Sequence, residues 1–294
     1  MSLPFDQRDG WIWFNGQLLP WKDAKLHVLS HGLHYASSVF EGERAYGGVI
    51  FKSREHSERF RRSAQILDFE IPYSVEELDA AKALVVEKNG NPDVYVRPLA
   101  WRGSEMMAVA AQNATVNVAI AVWPWPSMFD INEKMKGIRL DIAEYRRPDP
   151  QTAPSSSKAA GLYMICTISK HAAERKGYAD AMMLDWQGRV AECTGANIFF
   201  TRDGALHTPI ADCFLDGITR RTVIDLAKRR GFDVIERRIM PEELSSFNEC
   251  FICGTGAEVT PVSEIGPHTF RPGNISRTLV EDYAAEVQPK LAAA

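Results

Sequence analysis

The sequence predicts an α+β protein with two domains, and three observations carry that expectation. Of its 294 residues, 45% are hydrophobic and 24% charged, an ordinary globular balance with material for more than one core. Short β-branched or alternating runs beside glycine-bearing turns are interspersed with stretches of helical period, without strict alternation. That mixture leaves α+β or an irregular α/β arrangement rather than a doubly wound sheet. Finally WPWPSMFD, residues 123–130, carries two prolines and no period, which marks a boundary. The expected division is an N-terminal domain over 1–122, an interdomain loop over 123–134 and a C-terminal domain over 135–294.

The elements follow in order. WIWF and QLLP flank Asn15-Gly16, a hairpin signal. The latter part of SHGLHYASSVFEGERAYGGVIF reads as two strands joined by Gly47-Gly48. Glu55 to Leu67 places Phe60, Ala64 and Leu67 on one helical stripe, and VEELDAAKALVVEKNG is a second helix closed by Gly90. DVYVRPLAW and VNVAIAVW are strands. Beyond the boundary, GIRLDIAEY is a strand, and Ala159 to Lys176 is a helix ended by Gly177. Two hairpins follow, 181–185 with 189–191 and 197–201 with 205–208. Thr219 to Arg230 is a helix stopped at Gly231. FDVIERRI, ECFIC and 262–265 are strands.

A net charge of −4 gives no basis for nucleic acid or an anionic membrane as partner. There is no signal-peptide pattern and no apolar run of ~18 residues, so the expectation is a soluble, cytoplasmic protein. The five cysteines do not form a disulfide framework. Cys250 and Cys253 make a C-x-x-C, but residues three apart in a strand face opposite ways, so both are expected reduced and packed. His31, His34 and His56 match no usual ligand spacing; no metal is expected.

Two readings of Lys158 compete on the residues alone. It lies among small residues in SSSKAAGLY, with no carboxylate neighbour in sequence. A lysine there is either a surface group at a helix start or an amine poised to lose its proton and form a Schiff base. Ser155-x-x-Lys158 also fits an acyl-transfer motif, but S-D-N and K-T-G are absent. Gly254-Thr-Gly256 follows a strand, yet Pro261 comes too soon for the helix of a dinucleotide-binding fingerprint. More coherent is a phosphate cradle: Asp216-Gly217-Ile218-Thr219 opening a helix, Gly254-Thr255-Gly256 at a strand end, and Arg59 for a full charge. Glu192, among apolar and small residues in VAECTGANIFF, calls for a cationic partner. A lysine Schiff base, a carboxylate for a ring nitrogen and a phosphate cradle together define a pyridoxal phosphate site.

These segments lie in order along nearly the whole chain: WFNGQLLPWKDAKLHVLSHGLHYASSVFEG, REHSERFRRSA, YVRPL, SKAAGLY, LDWQGRVAECTGANIFF, DGITRRTVIDLA and GTGAEVTPV. Through them the chain resembles the fold type IV pyridoxal-phosphate aminotransferases, above all the branched-chain amino acid aminotransferases. The resemblance implies a small N-terminal α/β domain and a larger C-terminal pseudo-barrel domain, with pyridoxal 5'-phosphate between them. It implies that Lys158 holds the cofactor as a Schiff base and shuttles a proton. Glu192 would pair with the pyridine nitrogen and Tyr163 with the phenolic oxygen, while Arg59, Ile218, Thr219 and Thr255 would bind the phosphate. Tyr95, with the backbone of Thr255 and Gly256, would receive the substrate α-carboxylate. Tyr35, Phe40 and Trp125 would line the side-chain pocket, and Arg97 would take the distal carboxylate of glutamate; a buried structural ion pair is the alternative for Arg97. A loop around Met107-Ala108-Val109 would complete the pocket of a second subunit in a homodimer or higher oligomer. Four positions depart from the family pattern: Ala108 for glycine, Met128 for a pocket tyrosine, Glu43 for an apolar residue and Gly256 for alanine. By period two, Glu43 faces away from Phe40.

The implied activity is ping-pong transamination between branched-chain L-amino acids and 2-oxoglutarate. D-amino acid or (R)-amine transamination on the same fold is the alternative, disfavoured because YVRPL lacks the R-x-H that D-amino acid enzymes carry at this strand. Aminodeoxychorismate lyase chemistry is a further one.

Overall fold

The computed structural model describes residues 3–126 and 130–289. Within them the chain forms two compact units. The first contains the described residues up to Pro126, the segment Ser157–Gly161 and the residues after Val287; the second contains those up to Ser156 and Leu162–Val287. Met128 lies outside the described residues.

The first unit is built on a seven-stranded sheet. Its strands are β1 (Trp11–Phe14), β2 (Gln17–Pro20), β3 (Ser38–Phe40), β4 (Glu43–Tyr46), β5 (Val49–Ile50), β6 (Val94–Arg102) and β7 (Val116–Pro124). They run β2-β1-β7-β6-β4-β5, with β3 also paired to β6. Asn15 and Gly16 turn the first hairpin with φ of 47° and 95°, the left-handed pair that a two-residue turn requires. The helices are α1 (His31–Tyr35), α2 (Ser53–Ile66) and α3 (Val75–Asn89). A capping box opens α3: Ser74 Oγ accepts from the Glu77 N–H at 3.1 Å, and Glu77 Oε2 accepts from the Ser74 N–H at 2.7 Å. One face of β6, Val94 and Val96, joins Phe60, Ala64, Leu78 and Val85 in the core; the alternate residues Tyr95 and Arg97 face the other way.

Two local expectations change. Trp123 and Pro124 belong to β7 rather than to an irregular loop, because Pro124 is the last partner in the ladder, opposite Val94, where a missing N–H costs least. The expected helix from Ala159 is a 3-10 turn over Ala160–Tyr163 and only then α-helix.

The second unit holds a nine-stranded sheet. After α4 (Ile131–Lys134), its elements are β8 (Ile138–Ile142), α5 (Met164–Arg175), β9 (Asp180–Leu184), β10 (Val190–Cys193), β11 (Asn197–Arg202), β12 (Ala205–Pro209), α6 (Ile218–Arg229), β13 (Val234–Arg237), β14 (Glu249–Gly254), β15 (Glu258–Ile265), β16 (His268–Thr269) and α7 (Asn274–Glu286). The strand order is β10-β9-β8-β15-β14-β11-β12-β13, with β16 on β15. Parallel pairs (β8 with β9 and β15, β12 with β13) sit among antiparallel ones, the mixed α+β sheet expected. Its core gathers Leu140, Ile198, Phe200, Phe247 and Val262. Cys250 and Cys253 pair across β14 and β15 with Val262 and Val259, and all five cysteines are buried free thiols. No helix of the described residues is long and apolar enough to cross a membrane, and no His/Cys/Asp/Glu group among them suits a metal ion.

Candidate active site

On the first unit the site-bearing residues collect around Lys158. The segment 157–161 is tied down by main-chain bonds: the Phe40 N–H donates to the Lys158 carbonyl at 3.2 Å, and Val39 bridges to Ala159. Ser63, on α2, holds it from the other side: the Lys158 N–H donates to Ser63 Oγ at 3.0 Å, and Ser157 Oγ donates to the Ser63 carbonyl at 2.9 Å. The lysine Nζ lies 5.0 Å from the centre of the Phe40 ring. Burial, followed by the nearby Arg59 charge, lowers the amine to about 8, against the opposing pull of Glu41. Lys158 is thus partly buried against Phe40 and not a fully solvated surface group.

Tyr95 and Arg97 share a face of β6, as their spacing predicts, with Arg97 Nη2 donating to the Tyr95 hydroxyl at 3.5 Å. The Arg97 guanidinium lies over Phe40 (4.8 Å), Tyr95 (5.3 Å) and Trp123 (5.8 Å), and no carboxylate pairs with it among the described residues. Its Nε is buried with no hydrogen-bond partner among them. The structural ion pair is therefore replaced by a cationic group set among rings. Tyr95 stacks on Trp123 at 5.1 Å and 23° and lies 5.3 Å from Trp125, whose carbonyl accepts from Arg44 Nη2 at 2.8 Å. Gly42 makes this packing possible: a Cβ there would overlap the Tyr95 hydroxyl.

Phe40, Tyr95, Arg97 and Trp125 thus come together. Tyr35 does not join them: it is half-exposed and stacks on His31 at 4.6 Å. His31 in turn bonds the Ala108 carbonyl at 2.8 Å, so the 107–109 loop is tethered at Ala108 while Val109 stands 85% exposed. Arg59 is engaged by Glu41, a residue to which sequence reasoning gives no role. Glu43 faces away from Phe40 as expected: it pairs with Val96 and accepts from Lys82 Nζ at 2.8 Å, fully buried. Burial pushes its carboxyl up to about 8 against the pull of Lys82.

On the second unit Glu192 lies in β10, one residue before its end, steadied from two sides. Asn197 Nδ2 donates to its Oε2 at 3.3 Å, and Arg147 Nε lies 3.3 Å from its Oε1. Burial lowers the Arg147 pKa, but Glu192 together with Cys166, Tyr163 and Cys213 outweighs this and leaves it above its usual value. Arg147 also donates from Nη1 to the Leu162 carbonyl at 3.5 Å, just before Tyr163. Asn197 donates a second bond to the Leu215 carbonyl at 3.0 Å, which joins Glu192 to the loop entering α6. That helix begins at Ile218 and Thr219, both buried, with Gly217 as N-cap and no side-chain cap bond. A Cβ on Gly217 would overlap Asn197 Oδ1. Gly254 closes β14 against Gly195 and Ala196, so the Thr255-Gly256 turn starts beside the 194–196 turn, two residues beyond Glu192. Trp123, Arg147 and Asn197 escaped sequence reasoning. Only the two-residue period from Tyr95 through its cross-strand partner points to Trp123.

Comparison with known proteins fits this geometry. The profile of the family described as Amino-transferase class IV matches residues 38–265. A Rickettsia felis protein named probable branched-chain-amino-acid aminotransferase is 43% identical over 282 residues, 94% of this chain and 96% of the relative. The branched-chain-amino-acid aminotransferase of Pseudomonas aeruginosa is 38% identical, covering 94% and 92%. Among solved structures, a T.th. branched-chain amino acid aminotransferase with pyridoxamine 5'-phosphate superposes with a TM-score of 0.93 at 38% identity, covering 96% and 95%. The same T.th. enzyme complexed with N-(5'-phosphopyridoxyl)-L-glutamate gives 0.90 at 39%, covering 95% and 94%. The chain belongs to the class IV aminotransferase family.

Proposed function

We propose that this chain is a pyridoxal 5'-phosphate-dependent aminotransferase that exchanges the amino group of branched-chain L-amino acids with 2-oxoglutarate by a ping-pong route. The observation that carries the reading is the Lys158 amine, lowered to about 8, on the same unit as a cationic Arg97 set among Phe40, Tyr95 and Trp123. The residues fit the cofactor: an amine that deprotonates near neutral pH, a Glu192 carboxylate steadied by Asn197 and Arg147, and a helix N-terminus without a side-chain cap. When bound, the cofactor supplies an electron sink for the bond made or broken at the substrate Cα.

The chain's own groups then divide the work. Lys158 Nζ holds the cofactor and carries the proton to and from Cα. Glu192 keeps the ring nitrogen protonated and Tyr163 orients the phenolic oxygen. The N–H groups of Ile218 and Thr219, with Thr255 and Arg59, bind the phosphate. Tyr95 and the Thr255-Gly256 backbone receive the α-carboxylate. Phe40 and Trp125 accept an apolar side chain. Arg97 takes the distal carboxylate of glutamate, and its unpartnered Nε and ring setting support that role. Val109, exposed at the tip of a tethered loop, supports the reading that a second copy completes the pocket, in a cytoplasmic homodimer or larger homo-oligomer.

The test is a half-reaction. The pyridoxal form is mixed separately with L-leucine, L-glutamate, D-alanine and (R)-1-phenylethylamine while the cofactor's visible band is followed. Rapid loss with both L-leucine and L-glutamate is expected. Loss with D-alanine or the amine alone overturns the substrate assignment while leaving the cofactor assignment standing.

A further inference from the structure

Glu41 and His56 have no part in the roles given above, yet both are buried against Arg59. Glu41 follows β3 and is fully buried. Its Oε1 accepts from Arg59 Nε at 2.7 Å, and its Oε2 accepts from Arg59 Nη2 at 2.8 Å and from His56 Nδ1 at 2.7 Å. His56 and Arg59 are three residues apart on α2, so one helix face presents both to a single carboxylate. A guanidinium gripped through two parallel bonds has its plane and terminal torsions set by the carboxylate. Burial pushes the Glu41 carboxyl up, but Arg59 and His56 outweigh it and hold it below the usual range. Burial likewise keeps His56 below its usual value despite Glu41. Near neutral pH the trio thus holds one positive charge, one negative charge and a neutral imidazole that donates from Nδ1.

We propose that Glu41 is a positioning residue for the cofactor: it fixes the orientation in which Arg59 meets the phosphate, and His56 holds the second carboxylate oxygen in place. This rests on the assignment of Arg59 to the phosphate above. The charge count separates positioning from mere neutralisation. If Glu41 only cancels the charge of Arg59, Glu41→Gln leaves a net positive trio and binds a phosphate more tightly. If Glu41 positions Arg59, the amide turns one of the two facing contacts into donor against donor, and phosphate binding weakens despite the added charge.

The experiment titrates the apo-protein with pyridoxal 5'-phosphate and, separately, with pyridoxal, which lacks the phosphate, using tryptophan fluorescence. Glu41→Gln is expected to lower the ratio of the two affinities by ~10-fold or more. In an Arg59→Lys background, where the positioned group is gone, the same change should alter that ratio by less than about twofold. An unchanged or raised ratio in Glu41→Gln overturns the proposal, as does a full effect in the Arg59→Lys background. Equal losses for the two ligands would mark a general structural defect and overturn it as well. Should Glu41→Gln not fold, Glu41→Asp keeps the charge, withdraws the fork by one methylene and must show the same ligand-selective loss. Arg59→Lys alone reports separately on the underlying assignment: a wild-type ratio there removes Arg59 from the phosphate, and the role of Glu41 with it.

Discussion

The Lys158 amine gives the most direct quantitative test. Burial and then Arg59 move it from an ordinary 10.5 to about 8. At pH 7 an ordinary lysine is neutral in roughly three molecules per ten thousand, and one with a pKa of about 8 in roughly one of eleven, an increase of about 300-fold. The assay is competitive acylation of the apo-protein between pH 6 and 11, with the peptide carrying Lys158 quantified by mass spectrometry against an added unstructured lysine peptide. The Lys158 rate should rise to half its plateau near pH 8, while the reference peptide follows the ordinary lysine value. Arg59→Met should move the midpoint upward, because it removes the largest charge that lowers it. Stability carries the same signature. Between pH 8 and 10.5 the native state binds fewer protons than the unfolded one, so this group makes the protein more stable as pH rises and less stable as pH falls through about 8. The contribution is about 3 kcal/mol, and Lys158→Met should remove that slope from thermal unfolding curves. A Lys158 midpoint indistinguishable from that of the reference peptide would refute the reasoning.

Three further outcomes follow from named contacts. Glu43→Leu leaves buried Lys82 with Asp79, 3.1 Å away, and the Ser53 carbonyl, 2.9 Å away, and should cost about 3–5 kcal/mol by chemical denaturation; adding Lys82→Met should recover most of it. Gly217→Ala drives a Cβ into Asn197 Oδ1 and should cost about 1–3 kcal/mol, whereas Gly195→Ala, whose Cβ meets nothing within 4 Å, should be tolerated. Arg97→Met should slow the half-reaction with L-glutamate by ~30-fold or more and that with L-leucine by less than about threefold. An equal loss with both substrates in stopped-flow traces would remove Arg97 from the distal carboxylate.

What the sequence makes legible is local. Asn15-Gly16 demands a left-handed turn and forms one, and the alternation of Val94 to Arg97 correctly puts Tyr95 and Arg97 on one face. Lys158, Glu192 and the Gly217-Ile218-Thr219 helix start stand out because each is an unusual residue in its setting. The supporting residues are illegible for the opposite reason: their roles depend on partners distant in sequence. Lys158 is fixed by Ser63, 95 residues away, and Lys82 lies 39 residues from Glu43. No period or cap signal reports such a pairing. Glu43 shows the consequence. From sequence it is a polar departure just after Phe40-Glu41-Gly42 with no visible partner. In the structure it lies on the helix side of the sheet, opposite Val96, and answers a buried lysine. A polar residue in place of an apolar one is tolerated there because Lys82 on α3 donates to it, so the departure is answered inside the core. The same long-range logic separates Glu41 from Glu43. Two residues apart, both fully buried and both paired with a cation, they differ in which helix supplies it: α2 brings Arg59, also on the side of Lys158, whereas α3 brings only Lys82. Of the two, only Glu41 acts with its partner on the Lys158 amine.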